Sequence, residues 1–198
     1  MGRDDGREAG EYSPIFYDAD VWDLKGWETV WLSPTPEKPS KGWDAGSIRI
    51  LTIGKFLHRE SRVPVVMMNT HLDDGGSKSR LESAKIILKQ IGKFGEKEGA
   101  VLLSGDFNSA VGYEAYEEMT KKGSGMIDSR SLVEENLRYG HEYTFSGFKA
   151  EDSILSRIDF IFVKEGRADV KGYGVLENKF EDGIVVSDHR AVVVDIDI

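Results

Sequence analysis

The chain has 198 residues, enough for one domain with a sizeable apolar core. Its 39% hydrophobic and 31% charged residues are ordinary for a soluble fold, and the absence of cysteine rules out disulfides and thiolate metal sites. A formal net charge of -9, with Lys and Arg scattered among carboxylates, disfavours strong binding to duplex DNA, which calls for a basic stripe.

Met1 to Gly10 is polar and Gly-rich and lacks the apolar centre of a signal peptide; a leader lost with upstream residues would leave the same pattern, so the compartment is unknown and cytoplasmic is only a guess. No run of about 18 apolar residues is present, so no membrane span is expected. Short apolar runs bounded by turn residues predict strands over Ser13 to Tyr17, Gly26 to Leu32 and Ser47 to Phe56. The second should stop at Pro34 and Pro36, which cannot donate to a ladder. Val63 to Asn69 and Ala100 to Ser104 are apolar on both faces, as buried central strands are.

Between these two, Ser79-x-x-Glu82 fits a helix-starting capping box. Leu81, Ala84, Leu88 and Ile91 follow at helical spacing, with Lys85, Lys89 and Lys93 opposite. A shorter helix is predicted over Tyr113 to Lys121, ending at Gly123. Arg157 to Val163 and Ala191 to Ile196 read as the last strands. Mixed elements with strands in the majority predict an α/β layered domain spanning residues 1 to 198. There is no Walker loop and no G-x-S-x-G elbow.

Four polar clusters sit at strand ends: Asn69-Thr70-His71-Leu72-Asp73, Gly105-Asp106-Phe107-Asn108, Arg157-Ile158-Asp159 and Ser187-Asp188-His189. Carboxylates and an amide oxygen suit a hard divalent cation, and a histidine beside a carboxylate suits acid–base work. Each cluster alone has a plainer use. Asp73-Asp74-Gly75 reads as a turn that Asp73 braces, and Asp159 is equally able to pair with Arg157. His58 and His141 receive no role. Trp27, Trp31, Trp43 and Phe148 are candidates to stack on bases, although burial is the commoner use of such rings.

Taken in order, NTHLD, GDFN, RIDFIFV and SDHRAVVV resemble the endonuclease/exonuclease/phosphatase superfamily. Gly2-Arg3-Asp4-Asp5-Gly6, Gly10-Glu11-Tyr12, Pro14 to Tyr17 and Trp31 to Pro36 are similar to segments of a small bacterial and fungal subgroup. The resemblance implies a four-layer α/β/β/α sandwich of the DNase I type. It implies a metal-dependent phosphoester hydrolase that uses magnesium or manganese, with a phosphatase and a nuclease, including one of 3′–5′ exonuclease type, as the alternatives. Catalytic roles would fall to His71, Asp106, Asn108, Asp159 and His189, with Asp188, Asp106 and Asn108 at the metal and Asn69 and Arg3 at the substrate. The expected partner is a phosphorylated small molecule or a short single strand.

The resemblance also implies an opening strand carrying Asn and a later strand ending in Gln-Glu, neither of which is found in these residues. Glu11 does not fill that metal-ligand position. The expectation is therefore a chain incomplete at its N-terminus, weakly active by itself, with an exposed sheet edge that an oligomer or partner can cover. The alternative is a non-catalytic remnant that acts as a binding module.

Overall fold

A computed structural model describes residues 1–148 and 155–198. The first strand, β1 (Trp22–Trp31), is followed by β2 (Ile50–His58), β3 (Pro64–His71) and helix α1 (Ser77–Ile91). Then come β4 (Ala100–Asp106), α2 (Glu114–Thr120), β5 (Met126–Asp128), β6 (Arg138–Gly140), β7 (Asp159–Lys164), β8 (Asp169–Val175) and β9 (Val192–Asp197). Six strands form one sheet in the order β1-β2-β3-β4-β7-β5, and β6-β8-β9 form a second. β3 and β4 are parallel, joined by the α1 crossover, while β7 returns antiparallel to β4.

Side-chain alternation divides the large sheet between two cores. Leu51, Ile53, Val66, Met68, Val101, Leu103, Phe160 and Phe162 meet Ala84, Ile87 and Ile91 of α1 and Ala115 and Met119 of α2. On the other side, Leu102 and Val163 join Val170, Tyr173 and Val175 of the small sheet. The described residues thus form three layers: helices, large sheet, small sheet. The second outer helix layer implied by the family resemblance is not among them, since α1 and α2 pack against each other. No helix of the described residues is long and apolar enough to cross a membrane.

Several sequence expectations need correction. Ser13 to Tyr17 joins no ladder. Pro14 has no N–H to donate, and its carbonyl accepts from the Asn69 side chain at 2.9 Å. Helix α1 starts two residues before Ser79, whose hydroxyl is buried without a partner. The Asp44 carboxylate does the capping instead, accepting from the backbone N–H of Ser79 at 2.7 Å and of Lys78 at 3.2 Å. β1 begins earlier than expected, at Trp22, with a bulge between Leu24 and Gly26. Trp31 is buried, but Trp27 and Phe148 are 54% and 62% exposed, so burial does not account for either ring.

Asp73 braces the end of β3. Its buried carboxylate accepts backbone N–H groups from Gly46, Ser47, Gly75 and Gly76 at 2.8–3.2 Å. Burial works against the charge, yet these four donors hold its pKa down to about 2. A depressed carboxylate stabilises the fold above its unfolded pKa, near 3.8, and loses that contribution as pH falls through about 2. Asp73→Ala should therefore cost at least about 2 kcal/mol in urea unfolding at pH 7. The difference from the parent protein should shrink between about pH 4 and pH 2. A loss within about 0.5 kcal/mol at neutral pH would show that the brace is unimportant.

Candidate active site

His71, Asp106 and Asp159 occupy one rung of the large sheet. His71 pairs with Asp106 across β3 and β4, and Asp106 pairs with Asp159 across β4 and β7. Paired residues share a face and neighbouring strands lie about 4.8 Å apart, so three functional side chains project together. The local sequence permits this. Gly105 has φ +153°, and a Cβ there would sit 2.1 Å from the Thr70 carbonyl oxygen, so only glycine lets β4 run this close to β3. Phe107 points the other way and is fully buried against Phe160 and Phe162. Asn108 turns the chain at φ +46°, a conformation Asn tolerates, while its N–H donates to Asp106 Oδ1 at 2.8 Å.

His189 arrives from the loop before β9. It forms a bridge with Phe145, whose ring meets the imidazole edge-on at 5.1 Å. The Asp188 carbonyl accepts from Ser146 and Gly147 N–H, and Asn178 Nδ2 donates to Ser187 O. Thr144 Oγ1 accepts from the Ile158 and Asp159 amides, tying this loop to the head of β7.

The result is a pair of imidazoles flanking one carboxylate. Asp106 Oδ2 lies 3.4 Å from His71 Nε2 and 3.7 Å from His189 Nε2. Each imidazole is backed by a second carboxylate at Nδ1: Asp159 Oδ2 at 2.8 Å for His189, and Glu11 Oε1 at 2.5 Å for His71. Asn108 Nδ2 donates to Leu72 O at 3.0 Å and lies 3.1 Å from His71 Nε2, and among the described residues no donor reaches its Oδ1. These groups line a cavity of about 630 Å³ together with Asp188, Arg49, Asp74 and Phe145.

Electrostatics follow from this crowding. Burial, and then the charge of Asp159, raise the pKa of Asp106, and the Asn108 amide and the two imidazoles only partly offset them. The hydrogen bond to Asp159 raises the pKa of His189 despite its partial burial, helped by the charges of Asp159, Asp106 and Asp188. Burial works to raise the pKa of Glu11, but its hydrogen bond to His71 and the charges of His71, Arg3 and Arg49 bring it below its ordinary value.

Oxygen or nitrogen atoms of Asp106, Asp159 and His189 converge within 4.8 Å, a group able to hold a metal ion. The donor set fits a hard divalent cation. Asp106 carries negative charge poorly compensated by the protein, and Asn108 Oδ1 is an available oxygen. Asp188 lines the cavity, although its carboxylate lies outside the convergent group.

Two residues expected at the substrate lie beside this cavity rather than in its lining, in hollows that also include His71. Asn69 donates to Pro14 O and accepts from Ser104 Oγ, so its amide holds the 12–17 segment against the sheet. Arg3 does not line the cavity and donates to Glu11 Oε2 at 2.7 Å. Arg157 pairs with Asp128, which leaves Asp159 to His189. His58 bonds Ser61 in a turn, and His141 lies 3.1 Å from Glu177. Glu11, Arg49 and Phe145 were missed as site residues. The weak signals for them were a charged residue in Gly10-Glu11-Tyr12 and a lone Arg heading an apolar run.

The fold recurs in solved proteins. An endonuclease/exonuclease/phosphatase from Bacteroides vulgatus is 33% identical over all of this chain and 74% of its own length, with a TM-score of 0.90. The chain belongs to the endonuclease/exonuclease/phosphatase family. A second family-like structure, a mannosyl-6-phosphatase from Bacteroides thetaiotaomicron, is 35% identical with a TM-score of 0.90, the alignment covering all of this chain and 75% of that one. An uncharacterized protein of Acanthamoeba polyphaga mimivirus is 27% identical over 110 residues, which span 53% of this chain and only 15% of that protein. No protein-family profile matches the chain. Membership agrees with a phosphoester-hydrolase scaffold of mixed α/β type.

With four histidines in the chain, imidazole titration by NMR is tractable. His189 should titrate above its ordinary 6.5, and Asp159→Asn should move it downward by removing the partner that favours the charged form. An unchanged His189 titration in that variant would show that the pair does not exist in solution.

Proposed function

We propose that this chain is a divalent-metal-dependent phosphatase acting on a compact phosphorylated substrate. The single observation that carries the reading is the gathering of His71, Asp106, Asn108, Asp159 and His189 around one cavity. Likeness to a mannosyl-6-phosphatase at 35% identity supports a small phosphate ester over a polymer. The net charge of -9 favours the same choice.

Asp106 sits between the imidazoles, and its raised pKa suits a group that orients a water and accepts its proton during in-line attack on phosphorus. His189, held charged by Asp159, donates from Nε2 to a phosphoryl oxygen as negative charge builds. His71 is fixed from behind by Glu11 and presents Nε2 from the opposite side of Asp106. The phosphorus–oxygen ester bond breaks as the water oxygen bonds to phosphorus, and the departing oxygen takes a proton from solvent, releasing an alcohol and phosphate. Magnesium or manganese, held by Asp106, Asn108 and Asp188, would neutralise phosphoryl oxygens and acidify the attacking water. The Asp159–His189 pair satisfies itself, which leaves those three oxygen donors for the cation.

Hydrolysis should be assayed on mannose 6-phosphate, p-nitrophenyl phosphate, bis-p-nitrophenyl phosphate and a short single-stranded DNA, with Mg²⁺ and with EDTA. Asp106→Asn and His189→Ala should each lower kcat by about 10²–10⁴-fold with little change in melting temperature. EDTA should abolish turnover. Turnover of the DNA alone would replace the phosphatase by a nuclease. Absence of turnover on every substrate, with the fold intact, would favour the non-catalytic binding module.

A further inference from the structure

We propose that Arg49 reads a dianionic phosphomonoester and fits this site to monoesters over diesters, an assignment that rests on the phosphatase reading above. Arg49 sits just before β2, with its carbonyl accepting from Leu32 N–H and its side chain only 6% exposed. Its Nη2 donates to Asp74 Oδ1 at 3.0 Å, whereas the buried Nε and Nη1 have no hydrogen-bond partner. The neighbouring carboxylates are already engaged. Asp73 lies 3.5 Å from Nε but accepts four backbone N–H groups, and Glu11, 3.8 Å from Nη1, is taken by Arg3 and His71. A buried charged donor without an acceptor is unfavourable, and a ligand that brings the acceptor resolves it.

Arg49 also lines the cavity that holds His71, Asp106, Asn108 and His189. Five carboxylates line that cavity: Glu11, Asp74, Asp106, Asp159 and Asp188. Among the described lining residues Arg49 is the one guanidinium. An anion entering such an acidic pocket needs concentrated positive charge, and a planar guanidinium matches two phosphate oxygens at once. A diester has two free oxygens and one negative charge. A monoester has three and nearly two, so its extra oxygen and charge need a further cationic donor. The Arg49 guanidinium, once a ligand draws it from Asp73 and Glu11 toward the cavity it borders, answers that need.

The test is calorimetric binding of inorganic phosphate at pH 8 and of dimethyl phosphate, with Mg²⁺ and with EDTA, to the whole chain. Arg49→Gln should weaken phosphate binding by about tenfold or more and change dimethyl phosphate by less than about threefold. Arg49→Lys, which keeps the charge and loses the fork, should fall between. Asp74→Ala, an exposed change that removes the acceptor of Nη2, should tighten phosphate binding, and it remains decisive if Arg49→Gln does not fold. The ratio of kcat/KM for p-nitrophenyl phosphate over its bis ester should fall in Arg49→Gln by a similar factor. Equal weakening of both anions, unchanged phosphate affinity in Asp74→Ala, or no phosphate binding by the parent protein would overturn the assignment. Persistent hydrolysis with an unchanged monoester preference would sink this inference alone, whereas no hydrolysis by the parent protein would sink the phosphatase reading.

Discussion

One rung of hydrogen-bonded backbone holds the site together. His71, Asp106 and Asp159 come from segments far apart in the chain, yet they are direct neighbours across β3, β4 and β7. Because strand side chains alternate with period two, a one-residue slip at either pairing would send a functional group into the helix-side core. That core resists a slip. Met68, Leu103 and Phe162 share a single rung three positions further along the sheet, on its opposite face, with their side chains fully buried, and moving them to the cavity face would expose all three. The apolar core therefore sets the geometry of the polar site.

Loops complete what the rung begins. Asp73 binds two loops to the end of β3, and Asn108 closes the turn after β4 while engaging His71. Thr144 ties the His189 loop to the head of β7. The Asp73 and Thr144 bonds are side chain to backbone and leave the imidazole nitrogens free, whereas the Asn108 turn engages both His71 Nε2 and Asp106 Oδ1. Two imidazoles, each with a carboxylate behind it, then face a single acidic group from opposite sides. Binding such a cluster without a counter-charge is costly, and this physical pressure makes a cation and a phosphate complementary guests.

Much of this was legible in the sequence. Central strands β3, β4 and β7 announce themselves through apolar, β-branched runs, and their polar ends carry the site, so His71, Asp106, Asn108, Asp159 and His189 were found together. β8 escaped because Gly172 and Gly174 weaken its strand signal, although Gly174 is needed where the Tyr139 ring leaves no room for a Cβ. The helix start was misplaced because its cap, Asp44, lies more than thirty positions upstream, beyond any local pattern. Glu11 and Arg49 were unreadable as site residues for a related reason. Their meaning lies in distant contacts with His71 and with the cavity, and no short motif encodes either.

The central claim is that distant strand ends form one cation-binding pocket. Paramagnetic broadening of backbone amide resonances by substoichiometric Mn²⁺ tests this most directly. The account predicts selective loss of signal from Asp106, Asn108, Asp188 and His189, with His71 and Asp159 close behind and the α1 amides largely unaffected. Broadening confined to scattered surface carboxylates such as Asp20, Glu60 or Glu135, with those site amides intact, would contradict it.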